Sequence, residues 1–240
     1  MFIIYVCLTD CDPIEVANSD YSDELSVTGT FGDMIQITCD PGFSGGGNTT
    51  CSAAGFFDVL SCLNDPCDPI TVTHSDYASI NVTGVTYDTV TVTCDSGYKG
   101  GGTVMCQPNG TFSEVTCLPE ACSATEVANS NYSATGSITG VTGDTINVGC
   151  DVGYSGGGVT LCQHDNSFQI LTCTPNDCEA TEVANSNKAS TGSITGVTGQ
   201  SVAVTCLTGY TGKGLSTVTC GTDGYFDIDF ECIGNASTYI

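Results

Sequence analysis

Seventeen cysteines and two histidines are the residues of this 240-residue chain best suited to chemistry. Thiols ligate zinc, attack substrates or pair as disulfides, and their spacing decides among these. No C-x2-C pair occurs, and His74 and His164 sit at unrelated places, so a zinc site is not expected. Catalysis needs a nucleophile beside a base, or paired carboxylates, at positions that can meet. No such polar constellation recurs in the chain, and no enzyme or cofactor is expected. The "SGGG" runs are followed by no lysine-serine pair and open no helix, so they read as turns rather than phosphate loops. Regular cysteines in a chain poor in large apolar residues, with no tryptophan, read instead as an oxidised, extracellular scaffold, secreted or on a cell surface.

The elements that position those cysteines repeat. Four segments begin "CDPIEVANSDYS", "CDPITVTHSDYA", "CSATEVANSNYS" and "CEATEVANSNKA", at Cys11, Cys67, Cys122 and Cys178, a period of 55 to 56 residues. The second cysteines are Cys39, Cys94, Cys150 and Cys206, and the third are Cys51, Cys106, Cys162 and Cys220. The fourth are Cys62, Cys117, Cys173 and Cys232, which leaves Cys7 over. Modules are therefore expected at 11–62, 67–117, 122–173 and 178–232, with a tail at 233–240. His74 stands where the other copies have asparagine, and His164 has no counterpart. The N-terminal "FIIYVCLTDC" has the layout of "FDVLSCLNDPC", "FSEVTCLPEAC" and "FQILTCTPNDC", with a linker one residue shorter. Residues 1–10 thus read as the last strand of an incomplete preceding repeat plus its linker. They are neither a signal peptide nor a membrane span.

Before each second cysteine, "DMIQITC", "DTVTVTC", "DTINVGC" and "QSVAVTC" alternate apolar and polar residues, the mark of a strand with one face inward. Val90, Val92 and Cys94 should face in, and Thr89, Thr91 and Thr93 out. A glycine turn and an aromatic follow, as in "DSGYKGGG". In "QPNGTF", Asn109-Gly110 predicts a type I′ hairpin. No helical periodicity is found, and each copy reads as a small all-β module. The third should bury Val141, Ile146, Val148, Tyr154, Leu161, Phe168 and Ile170. A core of that size contributes only a few kcal/mol net, so two disulfides per module, each worth about 2–4 kcal/mol, are expected as staples. Spacing alone leaves three pairings open.

These motifs together, from the first cysteine through "VANS", "GDT", "C-x-x-G-[FY]" and an aromatic before the fourth cysteine, resemble the sushi module, also called the complement control protein repeat. The resemblance covers nearly the whole chain, Phe2 to Cys232. It implies pairing of first with third and second with fourth cysteine. Those pairs are Cys11 with Cys51, Cys39 with Cys62, Cys67 with Cys106, Cys94 with Cys117, Cys122 with Cys162, Cys150 with Cys173, Cys178 with Cys220, and Cys206 with Cys232. It further implies four tandem disulfide-stapled β-modules joined end to end as an elongated rod. The chain departs from the family in its phenylalanines, Phe57, Phe112, Phe168 and Phe226, where a tryptophan is usual, and in two extra residues between Cys206 and Cys220.

The charge excludes two partner classes. Twenty-seven acids face three lysines (Lys99, Lys188, Lys213) and no arginine, a net charge of −24, so neither nucleic acid nor anionic membrane is a partner. Carboxylates suit calcium, but no Asp-x-Asp-x-Asp-Gly loop occurs. Sequons at Asn48, Asn81, Asn109, Asn131 and Asn235 predict N-linked glycans, with about three of the five used. A repetitive, acidic, glycosylated array suits a structural protein. The apolar strand-formers Phe2, Ile3, Ile4, Tyr5 and Val6 suit addition to a neighbouring subunit, which would give a head-to-tail fibre. Cys7 then either bridges subunits or pairs with a part of a longer chain. The competing expectation is an ectodomain that recognises a protein or glycan ligand, in adhesion or complement-like regulation.

Overall fold

A computed structural model describes residues 9–235. The chain divides into two compact units, Met1–Leu118 and Pro119–Ile240, each carrying two modules. Among the described residues there is no helix. Module 1 holds β1 (Met34–Ile37), β2 (Phe43–Gly45), β3 (Gly47–Thr50) and β4 (Cys62–Asn64). Module 2 repeats them as β5 (Thr89–Val92), β6 (Tyr98–Gly100), β7 (Gly102–Met105) and β8 (Cys117–Pro119). Module 3 has β9 (Thr145–Val148), β10 (Tyr154–Gly156), β11 (Gly158–Leu161) and β12 (Cys173–Pro175). Module 4 has β13 (Ser201–Ala203), β14 (Tyr210–Gly214), β15 (Thr217–Cys220), β16 (Phe226–Asp227) and β17 (Phe230–Gly234).

In modules 1 to 3 the first and third strands form one antiparallel ribbon and the second and fourth another; in module 4 β15 pairs with both β13 and β16, and β14 pairs with β17. In module 1, Ile35 lies opposite Thr49 and Ser44 opposite Leu63. Between β2 and β3 the chain must leave one ribbon and enter the other within three residues. Gly45, Gly46 and Gly47 do this at φ +124°, +65° and +110°. A Cβ on Gly45 would lie 2.2 Å from the Ser61 carbonyl oxygen, and one on Gly46 2.6 Å from that of Ile37. The glycine run is therefore a backbone crossing that no side chain fits.

Each module has its own small core. In module 1 it is Val16, Val27, Ile37 and Phe57 packed around Cys11, Cys51 and Cys62, and the other modules repeat it. Two bridges staple each core. They join Cys11 to Cys51 and Cys39 to Cys62, Cys67 to Cys106 and Cys94 to Cys117. In the second unit they join Cys122 to Cys162 and Cys150 to Cys173, Cys178 to Cys220 and Cys206 to Cys232. Loops of 23 to 42 residues closed in this way give about 3–4 kcal/mol each on the chain-entropy model.

Two expectations need correction. In module 3, Ile170 is 88% exposed and Leu161 39% exposed, whereas Val148 and Phe168 are buried. The parity of β11 puts Thr160 inward, at 1% exposure, and sends Val159 and Leu161 out. After Phe168 the chain shifts face, because the Thr160 hydroxyl donates to the Gln169 carbonyl and Leu171, not Ile170, packs on the core. Ile138 and Val127, absent from the expected core, are buried instead. The hairpin at Asn109-Gly110 is not type I′. Only Gly110, at φ +83°, is left-handed; its N–H donates to the Gln107 carbonyl, while Gln107 N–H donates to Thr111. That is a three-residue loop with a glycine bulge. Modules 1, 3 and 4 close the same loop at 53–55, 164–166 and 222–224, with Gly55, Asn166 and Gly224 left-handed and no proline present, so the repeat sets the three-residue length and not the Asn-Gly dipeptide.

Candidate functional site

The residues with chemical potential are spread through the modules and given structural work. His74 has φ +59°, as Asn18, Asn129 and Asn185 have φ +56°, +58° and +60° at the same corner of the other modules. Among residues other than glycine, asparagine is one of those that tolerate that left-handed conformation best. In module 2 the histidine ring stacks on Tyr98, centroids 4.0 Å and planes 7° apart. The serine that follows is buried in every module. Ser19 donates its hydroxyl to Val16 O at 2.6 Å and accepts from Tyr21 N–H at 3.0 Å, and Ser75, Ser130 and Ser186 do the same. His164 lies in the module 3 turn between Gln163 and Ser167. Among the described residues, no three His, Cys, Asp or Glu side chains gather as a metal site. Residues 2–6 (Phe2, Ile3, Ile4, Tyr5, Val6) and Cys7 lie outside the described residues.

The sequon asparagines Asn48, Asn81, Asn109, Asn131 and Asn235 are all exposed. Asn109 Oδ1 accepts from the N–H and hydroxyl of Thr111, its own sequon threonine. Asn131 Oδ1 accepts from Gly149 N–H at 2.9 Å, and Asn235 Oδ1 from the Thr211 hydroxyl. In these three the bonded atom is the oxygen, and the nitrogen is the one a glycan would take. Turn acids form a second series. Asp33, Asp88 and Asp144 accept from the backbone N–H three residues earlier, and Gln200 does so in module 4. The Thr30 N–H and hydroxyl hold the Asp33 carboxyl below its ordinary pKa, and Ser167 does the same to Asp165.

A threonine in "VTYD" and "VTGQ" builds the junction between consecutive modules inside each unit, a role sequence reading missed. Thr86 donates its N–H to Asp65 O (2.8 Å) and its hydroxyl to Gly42 O (2.7 Å), and Asp65 N–H also donates to Gly42 O (2.8 Å). Thr198 repeats this in the second unit with Asn176 and Gly153. At φ +87°, a Cβ on Gly42 would sit 2.8 Å from Pro108 Cα and from Thr86 Cγ2, so the next module packs directly on the glycine. In the first unit Phe43 and Tyr87 add a tilted ring contact at 6.0 Å. In module 1 the position of Thr86 is held by Phe31, 49% exposed.

The candidate interaction site with the most distinctive shape is in module 4. Its extra residues lengthen the second ribbon to five residue pairs, Tyr210 opposite Gly234 through Gly214 opposite Phe230, where modules 1 and 3 have three. One extra residue between Phe226 and Cys232 lets Phe230 enter the core beside Cys232. Its ring lies over Gly212, where a Cβ would meet it at 2.7 Å. Beside the ribbon a groove of about 340 Å³ opens, lined by Val183, Ala184, Ile228, Phe230 and Ile233 with Glu182 and Glu231 on its walls. The same place in module 3 is a cavity of about 70 Å³. The irregular cysteine spacing was the signal in the sequence, but it announced extra length without its position.

No protein-family model matches the chain. Two curated proteins are similar to it. "Sushi, von Willebrand factor type A, EGF and pentraxin domain-containing protein 1" of Rattus norvegicus is 28% identical over 244 residues, and that of Mus musculus 27% identical over 243 residues. Each match covers 89% of this chain, and the chain spans 6% of the length of either relative. The chain is a distant homologue of one stretch of a much larger multidomain protein.

Proposed function

We propose that the chain is an array of tandem sushi modules serving as a non-enzymatic extracellular structural protein. The observation that carries this reading is the same cross-link frame, first to third and second to fourth cysteine, repeated in four modules with small cores. Such staples persist in oxidising compartments, and the similarity to sushi-containing proteins points the same way. Near-identical openings of modules 3 and 4 favour interchangeable structural units over a tailored ligand site. Exposed sequon asparagines fit a glycoprotein surface.

The finer reading is head-to-tail assembly of copies into a filament, with the apolar segment of residues 2–6 as the joining element. A contact between unlike surfaces propagates unless its geometry closes a ring. Negative-stain imaging and sedimentation of the purified, oxidised chain test it: end-joined particles that lengthen with concentration are expected, and single dispersed particles at every concentration would count against it.

A further inference from the structure

We propose that the module 4 groove is the acceptor for residues 2–6 of a second copy, which add as a strand along the outer edge of β17. This rests on the head-to-tail reading and names its surface. Three observations converge. The groove is lined by the consecutive residues Phe230, Glu231, Cys232 and Ile233, so it follows the edge of the strand rather than one of its faces. β17 pairs with β14 alone in a two-stranded sheet, which leaves its other edge without a strand partner among the described residues. An unpaired edge beside an apolar trough is a template for strand addition, with backbone hydrogen bonds giving affinity and the trough taking alternate side chains. At about 340 Å³ the groove reaches the size of ligand clefts, roughly 300–1,000 Å³.

The occupant follows from composition and length. Eight residues precede the described part of the chain, and five of them, Phe2, Ile3, Ile4, Tyr5 and Val6, are uncharged strand-formers in a chain that carries 27 acids. Five residues match the five of β17. Ile228 and Ile233, 42% and 47% exposed, offer the contacts that Phe2 and Ile4 would cover. Three whole modules separate the segment from the groove along the chain, so the contact is assigned to a second copy. Copies of net charge −24 repel one another, so added salt should strengthen the association.

The test uses the full chain carrying Cys7→Ser, so that assembly is read without a covalent bridge, and follows mass against concentration by sedimentation. The expected result is concentration-dependent assembly that Ile228→Asp and Ile4→Asp each weaken by about tenfold or more, whereas Ile170→Asp at the matching place in module 3 changes it less than about twofold. An equimolar mixture of the Ile228→Asp and Ile4→Asp chains should stop at dimers, because one chain retains the groove and the other the segment. Assembly indifferent to Ile228→Asp, or equally sensitive to Ile170→Asp, overturns the groove and leaves the head-to-tail reading standing. A wild type that stays monomeric at every concentration and salt overturns both.

Discussion

Modules 3 and 4 open with nearly the same twenty residues, "ATEVANSNYSATGSITGVTG" and "ATEVANSNKASTGSITGVTG". Their front halves are accordingly the same object. Ile138 and Ile194 are fully buried, and Ser130 and Ser186 close the same corner. The back halves differ. Module 3 crosses out of its three-residue second ribbon on Gly156, Gly157 and Gly158, all at positive φ. Module 4 keeps positive φ at Gly214, carries Lys213 beside it, extends the ribbon to five residues and seats Phe230 in the core. The difference teaches where a module can change. Its front half is bound into the core and, where two modules share a unit, to the preceding module, whereas the second ribbon touches the core mainly through its cysteines and one large side chain.

That contrast can be broken at the staple first. Replacing both Cys150 and Cys173 by alanine should cost module 3 about 3 kcal/mol or more, because its short ribbon has little else to hold it. The same change at Cys206 and Cys232 should cost less, since five residue pairs and Phe230 remain. Urea denaturation followed by circular dichroism reads both, and equal losses would mean that the longer ribbon contributes nothing.

A smaller effect is expected at the crossing. Gly157 has φ +68°, and a Cβ there would sit 2.5 Å from the Val148 carbonyl oxygen. Gly157→Ala should therefore destabilise by about 1–3 kcal/mol, while Lys213→Ala should stay within about 0.5 kcal/mol. The same denaturation curves decide it.

The smallest effect concerns acid. Asp33 has its carboxyl pKa lowered by two bonds from Thr30, and module 4 has the non-titrating Gln200 at that place. A folded-state pKa below the unfolded one gives stability that is present above the ordinary carboxylate value and lost as pH falls through the depressed one. Wild type and Asp33→Asn should therefore differ in melting temperature near neutrality and converge as pH drops below the ordinary value of 3.8. The difference is modest, because the group is exposed. A constant offset across that range would remove the carboxylate from the account.

Much of the all-β architecture was legible because cysteine spacing and alternation are local signals. Val90 and Val92 packing on the core and Thr89 and Thr91 facing out follow from period two alone. Ile170 was misread because alternation was carried past Phe168, where a side-chain bond to Gln169 resets the face. Asn109-Gly110 was misread because the dipeptide preference is for a two-residue loop, whereas every module closes a three-residue loop at this place. The junction threonines were invisible for another reason. Thr86 and Thr198 owe their role to carbonyls of Gly42 and Gly153, about 45 residues away, and nothing in a Ser- and Thr-rich chain marks one threonine from the next. The module 4 groove was half legible, since insertions show in the cysteine count but not which edge they widen.

Each of the eight bridges begins and ends within a single repeat. A gene for such a chain can gain or lose whole copies by unequal recombination without stranding a bridged thiol, because each of those sulfurs travels with its mate. Length is then the easiest property for evolution to alter, and altering one unit's surface leaves the folding of its siblings untouched.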